Sequence, residues 1–433
     1  MPEGNRESRI PRESWYVAFM FFLFMLLHNA DKFLISPLLT LIQSEFGLSF
    51  TELGAIQTGS IFVAVAFMPF WGYVFDRYAR PFMVSMASAI WGVTTVLSAF
   101  STSYLQLLLT RATTGIDNEA TSGIISFLGD YFPPERRATA IGLVNTSNAF
   151  GTLIGVLVGT IAGGILGWRG AFIITAVPGL ILAAVILLTV KDKPRGGTEP
   201  ELAEVKDKLR ETFSRDSIKK LFERKSAILL FAQGFFGVFP WQILSYWLLL
   251  YMELARGFNP DERMLVMFVA LIAMALGNIA AGIMGDWSFR RSLKGRMIFA
   301  SITVAVGLIL FDLTILVKGG MLVFLVLGGL TGFFIPMAGP SVSASVQDVS
   351  LPEVRSSGLS TLVFFENVGS ALAPLLTGYL ADTIGLESAI LVIVTVTWFL
   401  CAVLLGVTSI LIPKDIEWKR KELIERARKL AST

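Results

Sequence analysis

The sequence predicts an all-α integral membrane protein with twelve transmembrane helices in two six-helix bundles. The first observation is composition: 54% of the 433 residues are hydrophobic and 16% are charged, whereas soluble domains carry about 25% charged residues. The second is that the apolar residues form twelve blocks, each long enough for the helix of about 20 residues that crosses a bilayer. The third is a polar segment that divides these blocks into six and six.

The first bundle is predicted to occupy residues 15–190, after a cytoplasmic N-terminus at residues 1–14. Its first apolar block is too long for the core of a signal peptide and lacks a small-residue cleavage site, so we expect it to span the membrane. The six predicted helices are 15–39, 51–75, 81–100, 104–131, 139–166 and 171–190.

The second bundle is predicted to occupy residues 227–411, after a cytoplasmic linker at residues 191–226. Apolar residues recur at helical spacing among the charges of the linker, which predicts a helix on the membrane surface. Residues 412–433 form an amphipathic cytoplasmic tail, with a surface helix and a partner-binding helix as the two alternatives. The six predicted helices are 227–251, 264–287, 297–317, 321–346, 358–381 and 388–411.

The orientation in the membrane follows from the distribution of the 36 Lys and Arg residues. With both termini on one side, 30 of them fall on that side, four fall on the other side, and Lys32 and Arg111 lie inside helices. Cytoplasmic loops carry the excess of basic residues. We therefore predict a multi-pass protein of the cell membrane with both termini in the cytoplasm.

Composition also excludes several classes of protein. Cys401 is the single cysteine and His28 the single histidine, which excludes internal disulfides and metal sites rich in these residues. No Gly-Lys-Ser/Thr sequence is present, so there is no phosphate-binding Walker loop. The net charge of +3 is too small to indicate nucleic-acid binding. Without a nucleophile–base arrangement or an extramembrane domain, we predict no enzyme, no cofactor and no metal.

The two halves of the chain repeat short motifs. The loop with Asp76, Arg77 and Arg80 recurs 210 residues later with Asp286 and Arg290. A Pro-Glu-x-Arg sequence likewise recurs 218 residues later. Equivalent loops on the same membrane side indicate parallel repeats around an axis along the membrane normal.

The repeated Gly-x-x-x-Asp-Arg-x-x-Arg loop and the six-plus-six layout resemble the major facilitator superfamily. The resemblance covers nearly the whole chain, and it implies two bundles that rock about a central site near the bilayer midplane. It also implies that the loop residues form ion pairs and helix-end contacts that hold the cytoplasmic side closed. The residues of this predicted gate are Asp76, Arg77, Arg80, Asp286 and Arg290.

Ionisable residues inside the predicted helices are candidate functional groups, because a charge at bilayer depth costs at least about 3 kcal/mol. His28, Asp31 and Lys32 share one side of the first helix. Asp31 is predicted to carry a proton or to contact substrate. The alternative is a permanent ion pair with Lys32 or Arg111 that only fixes the helices.

Arg111 in the fourth helix is predicted to hold an anionic substrate group or to tune a neighbouring carboxylate, with helix locking as the alternative. At about 100° per residue, Asn118 shares the stripe of Arg111 and Glu119 lies at its edge, while Asp117 points nearly opposite. The fourth helix is therefore predicted to present Arg111, Asn118 and Glu119 to the site.

Glu366 in the eleventh helix is predicted to be a second protonation or headgroup site, whereas Asp312 is predicted to be structural. The aromatic seventh helix would suit a ligand with an apolar body, with lipid-facing aromatics as the alternative. The predicted substrate-lining residues are Asn145, Asn148, Gln233, Trp241, Gln242, Tyr246 and Asn367.

Glycines of the fifth helix, including Gly151, Gly155 and Gly159, resemble the glycine motif of the superfamily's antiporters. Glycines at this spacing also allow two helices to pack closely. Both interpretations stay open from the sequence.

Within the superfamily, two stretches resemble the spinster-like group of lysolipid and sphingolipid transporters. The first helix of that group carries Asn-x-x-Asp-Arg, and here His28, Asp31 and Lys32 stand at these positions. Its fourth helix carries Arg-x-x-x-Gly-x-Gly-Glu-Ala, and here the match begins at Arg111. The resemblance covers about a quarter of the chain.

This resemblance implies a coupling cluster of Asp31, Arg111 and Glu119. Asn118 stands where the group has its Glu, and Glu119 follows one residue later. Whether Glu119 or Asp117 takes that role stays open.

The sequence therefore predicts a secondary active transporter that works by alternating access, is coupled to protons and moves a lysophospholipid-like amphiphile. The alternatives are a proton-linked transporter of a small organic anion such as a sugar acid, and a multidrug/proton antiporter. The expected partners are the substrate, protons and membrane lipids, and a monomer is expected. Substrate identity, transport direction and symport or antiport stay open.

Overall fold

The computed structural model of the chain describes residues 11–120, 124, 127–128, 131–132, 134–192, 219, 222–351 and 354–431. Every regular element of these residues is a helix, which confirms the predicted all-α class. Contacts between residues divide the chain into two units. The first unit comprises residues 1–46 and 62–207, and the second unit comprises residues 47–61 and 208–433. Most of the surface helix predicted within residues 191–226 lies outside the described residues.

The described residues of the first unit form six helices. The third of them begins in the second unit, because residues 47–61 group there. Gly167 interrupts the last of them with a φ of 71°, so this long helix bends between the predicted fifth and sixth spans. Two 3-10 segments, Ser36–Leu38 and Thr114–Ala120, follow the first and fifth helices. The helices are α1 Arg12–Leu34, α2 Leu39–Phe46, α3 Phe50–Arg77, α4 Arg80–Ala99, α5 Tyr104–Thr113 and α6 Pro134–Thr189.

In the second unit, the residues that the structure describes form eight helices in addition to the start of α3. The carboxylate of Asp382 accepts hydrogen bonds from the backbone N–H groups of Phe50 and Thr51 at 2.7 and 2.9 Å, and it thereby caps α3. A 3-10 segment, Ile335–Ala338, joins the fifth and sixth helices below. The helices are α7 Lys225–Gly237, α8 Phe239–Arg256, α9 Pro260–Arg291, α10 Gly295–Leu316, α11 Met321–Phe334, α12 Gly339–Val349, α13 Arg355–Ile384 and α14 Leu386–Ala431.

Ten helices of the described residues are long and apolar enough to cross a membrane. One of them, Gly142–Thr189, has 48 residues and contains the bend at Gly167. The fourth predicted span extends into residues outside those described. The multi-pass membrane fold is therefore confirmed, and the count of twelve stays a prediction.

The tail continues the last span as part of α14, so the predicted boundary at residues 411 and 412 lies inside one helix. Lys419 is buried, and its Nζ donates to the carbonyls of Gln347 and Asp348 at 2.8 and 3.1 Å. These carbonyls lie at the end of α12, where a cation is favourable. This part of the tail packs against its own unit, while its placement on the membrane surface stays a prediction.

Glycines of α6 allow close packing against α1. A Cβ atom on Gly155 would overlap the backbone carbonyl of Ala30, and one on Gly151 would lie 2.5 Å from the carbonyl oxygen of Leu26. In the second unit, Gly369 of α13 lies equally close to the carbonyl of Phe235 in α7. The packing interpretation of the glycine motif is therefore confirmed.

Replacing Gly155 by alanine is expected to destabilise the first unit by about 1–3 kcal/mol, because the added methyl group forces α6 away from α1. The measurement is the thermal unfolding midpoint of the detergent-purified protein. Gly164→Ala is the matched control, because a Cβ there meets nothing within 4 Å and alanine favours a helix. Equal midpoints for the two variants would contradict the packing role.

Candidate functional site

The first unit contains a buried ion pair between α1 and α5. Arg111 Nη1 lies 3.2 Å from Asp31 Oδ2, and the guanidinium also lies 5.0 Å from the ring centroid of Phe172. Thr95 donates its hydroxyl to Asp31 Oδ2 at 3.3 Å, and Thr175 donates to Oδ1 at 3.2 Å. Both carboxylate oxygens thus accept hydrogen bonds, as a buried charge requires.

A second buried pair lies one helical turn away on α1. His28 Nδ1 is 3.1 Å from Asp117 Oδ2. The imidazole stacks on Phe24 with centroids 5.8 Å apart, and it meets the edge of Trp91 at 5.9 Å. Neither oxygen of Asp117 has a well-oriented hydrogen bond among the described residues. The close contact with His28 is therefore the main polar interaction of this carboxylate.

The position of Asp117 corrects the expectation that it points away from the site. Residues Thr114–Ala120 form a 3-10 helix, which turns by about 120° per residue where an α-helix turns by about 100°. The three steps from Thr114 to Asp117 each turn about 20° further, which reduces the angle between Asp117 and Arg111 from about 120° to about 60°. The Trp71 indole donates to the carbonyl of Ile116 inside this segment, which satisfies a backbone group that α-helical bonding would otherwise use.

These four ionisable side chains, His28, Asp31, Arg111 and Asp117, are called the ion cluster. Their exposed fractions are 6%, 2%, 4% and 0%, so the cluster is almost dry. Lys32 is half-buried, while the side chains of Asn118 and Glu119 lie outside those that the structure describes. Asp31 pairs with Arg111, which was one of the two partners left open by the sequence.

Sequence reasoning misses Thr95 and Thr175, because a hydroxyl in an apolar helix carries no charge signal. It also misses Asn29, whose Nδ2 donates to Asn148 Oδ1 at 2.7 Å. Asn145 and Asn148 are both exposed on α6. Asn148 therefore contacts α1 at Asn29, the residue that follows His28 of the ion cluster. Contact of Asn145 and Asn148 with the substrate stays a prediction.

The second unit contains a cavity of about 230 Å³. Of the predicted substrate-lining residues, Gln233 and Trp241 line it together with Glu366. Its other walls include Trp398 and Cys401. The 3-10 segment Ile335–Ala338 also contributes to the wall, and Pro336 at its start lacks the N–H that a continuous α-helix needs.

The remaining residues predicted to line the site are absent from this cavity wall. Tyr246 is buried and donates its hydroxyl to the carbonyl of Leu53 at 2.5 Å. Gln242 is buried next to Ser245, and Asn367 is half-buried on α13. Their contact with substrate stays a prediction.

The predicted gate residues differ in their surroundings. Arg80 is buried, with Nε 3.9 Å from Asp192 Oδ1 and its guanidinium 4.8 Å from the ring of Phe127. Arg77 is exposed, and the side chain of Asp76 lies outside those described. The gate role of these residues stays a prediction.

In the second copy of the loop, Asp286 has an ion-pair partner that the sequence does not point to. Asp286 pairs with Arg296 at 2.6 Å, and Arg296 also pairs with Asp348 at 2.5 Å. Arg290 is exposed. In the described part of the chain, no group of three or more His, Cys, Asp and Glu residues is placed to hold a metal ion.

Comparison with known proteins agrees with this architecture. The family model of the Major Facilitator Superfamily matches residues 20–324 and 294–432. The hexuronate transporter of Bacillus subtilis is 26% identical over 85% of this chain and 88% of its own length. Protein spinster of Drosophila melanogaster is 25% identical over 65% of this chain and 46% of its own length.

A solved structure shares the fold. The crystal structure of a bacterial homologue of the human lysosomal transporter Spinster, inward-facing and unoccupied, superposes with a TM-score of 0.84. The alignment has 18% identity and covers 95% of this chain and 99% of the other. The chain therefore belongs to the major facilitator superfamily, with similarity to the spinster group, and is a membrane transporter and not an enzyme.

Proposed function

We propose that the chain is a proton-coupled secondary active transporter that works by alternating access and moves a lysophospholipid-like amphiphile. The observation that carries this proposal is the ion cluster of the first unit. Four ionisable side chains that are almost fully buried in an apolar helical unit are costly to keep, so they are functional candidates by default.

The charge count of the ion cluster supports proton coupling. Arg111 contributes one positive charge, and Asp31 and Asp117 contribute one negative charge each when ionised. A net charge inside the membrane costs at least about 3 kcal/mol, so neutrality among these four side chains requires one further proton, on His28 or on Asp117. At 3.1 Å from each other, the two groups are close enough for a proton on either one to balance the charge.

Alternating access supplies the step that releases this proton. In the closed, dry cluster the proton is needed for neutrality. When the ion cluster opens to water, the solvent stabilises an ionised Asp117. The proton can then leave without creating a net charge in an apolar medium. One proton per cycle is therefore the stoichiometry that the charge count supports.

An amphiphilic substrate is supported by the similarity to spinster and by the cavity of the second unit. Two tryptophans and several aliphatic side chains form most of the wall, and Glu366 supplies a charged group. A mostly apolar wall with one charged group suits one part of an amphiphilic ligand.

A small organic anion is the second candidate. The hexuronate transporter of Bacillus subtilis aligns with a larger share of this chain than Drosophila spinster does. In such a transporter Arg111 would bind the substrate carboxylate. Here Arg111 pairs with Asp31, so an anionic substrate would have to replace or share that carboxylate.

The proposal also covers the location, the orientation and the cytoplasmic gate of the protein. We infer that the protein lies in the cell membrane as a monomer with both termini in the cytoplasm. The gate residues, with Arg77 and Arg80 in the first half and Asp286 and Arg290 in the second, then lie on the cytoplasmic side. Two ion pairs are available to fix the loops on that side, namely Arg80 with Asp192 and Asp286 with Arg296.

The test is flux into proteoliposomes with an imposed pH gradient, measured with a labelled lysophospholipid and with a labelled hexuronate. We expect the lysophospholipid to move with the gradient and Asp31→Asn to reduce this movement to background. That variant leaves Arg111 and Asp117 to balance each other, so no further proton is required. Asp312→Asn is the control, because Asp312 lies in the other unit and accepts a hydrogen bond from Thr395 at 3.0 Å.

Each outcome of the flux test distinguishes the candidates. Movement of hexuronate alone would reject the amphiphile and support the organic anion. Coupling through the ion cluster would be rejected if lysophospholipid flux did not depend on the pH gradient. It would also be rejected if the Asp31→Asn variant kept the full gradient-driven flux. Equal loss in Asp31→Asn and Asp312→Asn would indicate a general effect of removing a buried carboxylate.

A further inference from the structure

The cavity of the second unit contains one ionisable carboxylate and no basic residue. Its fourteen lining residues include Glu366 but no Lys, Arg or His. The wall also contains the amide side chain of Gln233, which already forms hydrogen bonds within the protein. Its Nε2 donates to the carbonyl of Leu230 at 2.9 Å, and its Oε1 lies 3.5 Å from Cys401 Sγ. Glu366 is therefore the main polar group that the cavity offers to a ligand.

Glu366 has no hydrogen bond and no ion pair with any of the residues that the structure describes. The carboxylate lies beside Gly234, where an added Cβ would be 3.8 Å from Glu366 Oε1, and Leu362 packs at the same position. Small and apolar neighbours leave the carboxylate without a protein counter-ion. In a membrane-embedded unit such a group requires a cation, which is either a proton or part of a ligand.

The walls of the cavity favour a cationic group. Trp241 and Trp398 both line it, and the Trp398 indole N–H lies 3.4 Å from the carbonyl of Gly237. Aromatic rings together with a carboxylate are the combination that recognises quaternary ammonium groups in proteins. At about 230 Å³, the cavity is smaller than pockets that enclose drug-sized molecules, which begin at about 300 Å³. It therefore fits a headgroup better than a whole amphiphile.

We propose that this cavity is a subsite for the ammonium headgroup of the transported amphiphile, with Glu366 as its counter-ion and Trp241 and Trp398 as its aromatic walls. The use of the subsite in transport rests on the proposed function. An anionic substrate would meet Glu366 with no compensating cation in the wall. The subsite therefore selects for a zwitterionic or cationic amphiphile and against a substrate whose charges are all negative.

The test is equilibrium binding to the purified full-length protein in nanodiscs, without a pH gradient. The probes are labelled lysophosphatidylcholine and lysophosphatidylglycerol with the same acyl chain, which share the phosphate and differ in the quaternary ammonium. We expect the choline lipid to bind about tenfold more tightly, because it gains a charge pair and cation–π contacts. Glu366→Gln is expected to remove this difference, while Asp312→Asn is expected to keep it.

A second arm uses tetramethylammonium chloride, with sodium chloride at equal ionic strength as the reference. We expect tetramethylammonium to raise the thermal unfolding midpoint of the wild type and of Asp312→Asn but not that of Glu366→Gln. Because this probe has no acyl chain, it reports on the subsite even if lysophospholipids are not the substrate.

The outcomes separate the subsite from the proposed function. Equal binding of the two lipids together with no effect of tetramethylammonium would overturn the subsite and leave Glu366 as a proton site. A preference for the choline lipid that persists in Glu366→Gln would also overturn it. If tetramethylammonium stabilises the protein only when Glu366 is present, the subsite is supported. If no lysophospholipid flux occurs in proteoliposomes at the same time, the lysophospholipid is rejected as the substrate.

Discussion

Replacing Asp117 by asparagine is expected to abolish uptake driven by a pH gradient while leaving substrate exchange intact. The change removes one negative charge from the ion cluster, so Arg111 and Asp31 balance each other and no further proton is needed. The Arg111–Asp31 pair at 3.2 Å stays in place, and Asn has nearly the shape of Asp. The variant should therefore fold and bind substrate but carry no exchangeable proton.

The measurement compares two assays on the same proteoliposomes. Uptake of labelled lysophospholipid under an imposed pH gradient is expected to fall to the level seen without a gradient. Exchange against excess unlabelled substrate at equal pH is expected to keep the wild-type rate. Gradient-driven accumulation by Asp117→Asn at the wild-type level would show that this carboxylate takes no part in coupling.

Replacing Arg111 by glutamine is expected to have the largest effect on stability. Asp31 would lose its ion-pair partner at 3.2 Å, and the ion cluster would carry two carboxylates with no fixed positive charge. Removing one partner of a buried ion pair costs about 3–5 kcal/mol. We therefore expect a sharp fall in the yield of monodisperse protein and in its thermal unfolding midpoint.

A double variant separates the lost charge from the lost side chain. Asp31→Asn combined with Arg111→Gln removes both charges, so we expect it to recover most of the stability. Asp117 is unchanged in this variant, so the charge count of the ion cluster still requires one proton. The control is Arg169→Gln, which breaks a pair with Glu45 at 2.6 Å whose side chains are 38% and 40% exposed. Exposed pairs contribute up to about 1 kcal/mol. A double variant no more stable than Arg111→Gln alone would contradict the proposed charge balance.

The helical membrane fold is predictable because the bilayer imposes it. A span must satisfy its backbone hydrogen bonds internally, so apolar blocks of about 20 residues become helices whatever their detailed sequence. The ends are less predictable. The tail joins α14 without a break, because Lys419 and Asp415 find partners in their own unit, and hydropathy does not register such contacts.

The candidate site is only partly predictable from the sequence. His28, Asp31, Arg111 and Glu366 stand out because ionisable groups are costly in a membrane. Asp117 is misplaced by α-helical periodicity, because the chain winds as a 3-10 helix at that point. Such a departure from regular winding depends on tertiary packing around the segment, and a single sequence carries little signal for it.

The 3-10 segment that aims Asp117 has a counterpart in the second half of the chain. Shifted by the 218 residues that separate Pro134 from Pro352, Thr114–Ala120 falls on residues 332–338, which contain the 3-10 segment Ile335–Ala338. Both halves of the chain therefore depart from regular α-helical winding at matching points of the repeat. In the first unit the break lies beside the two buried pairs of the ion cluster. In the second unit it lies in the wall of the cavity that holds a single carboxylate.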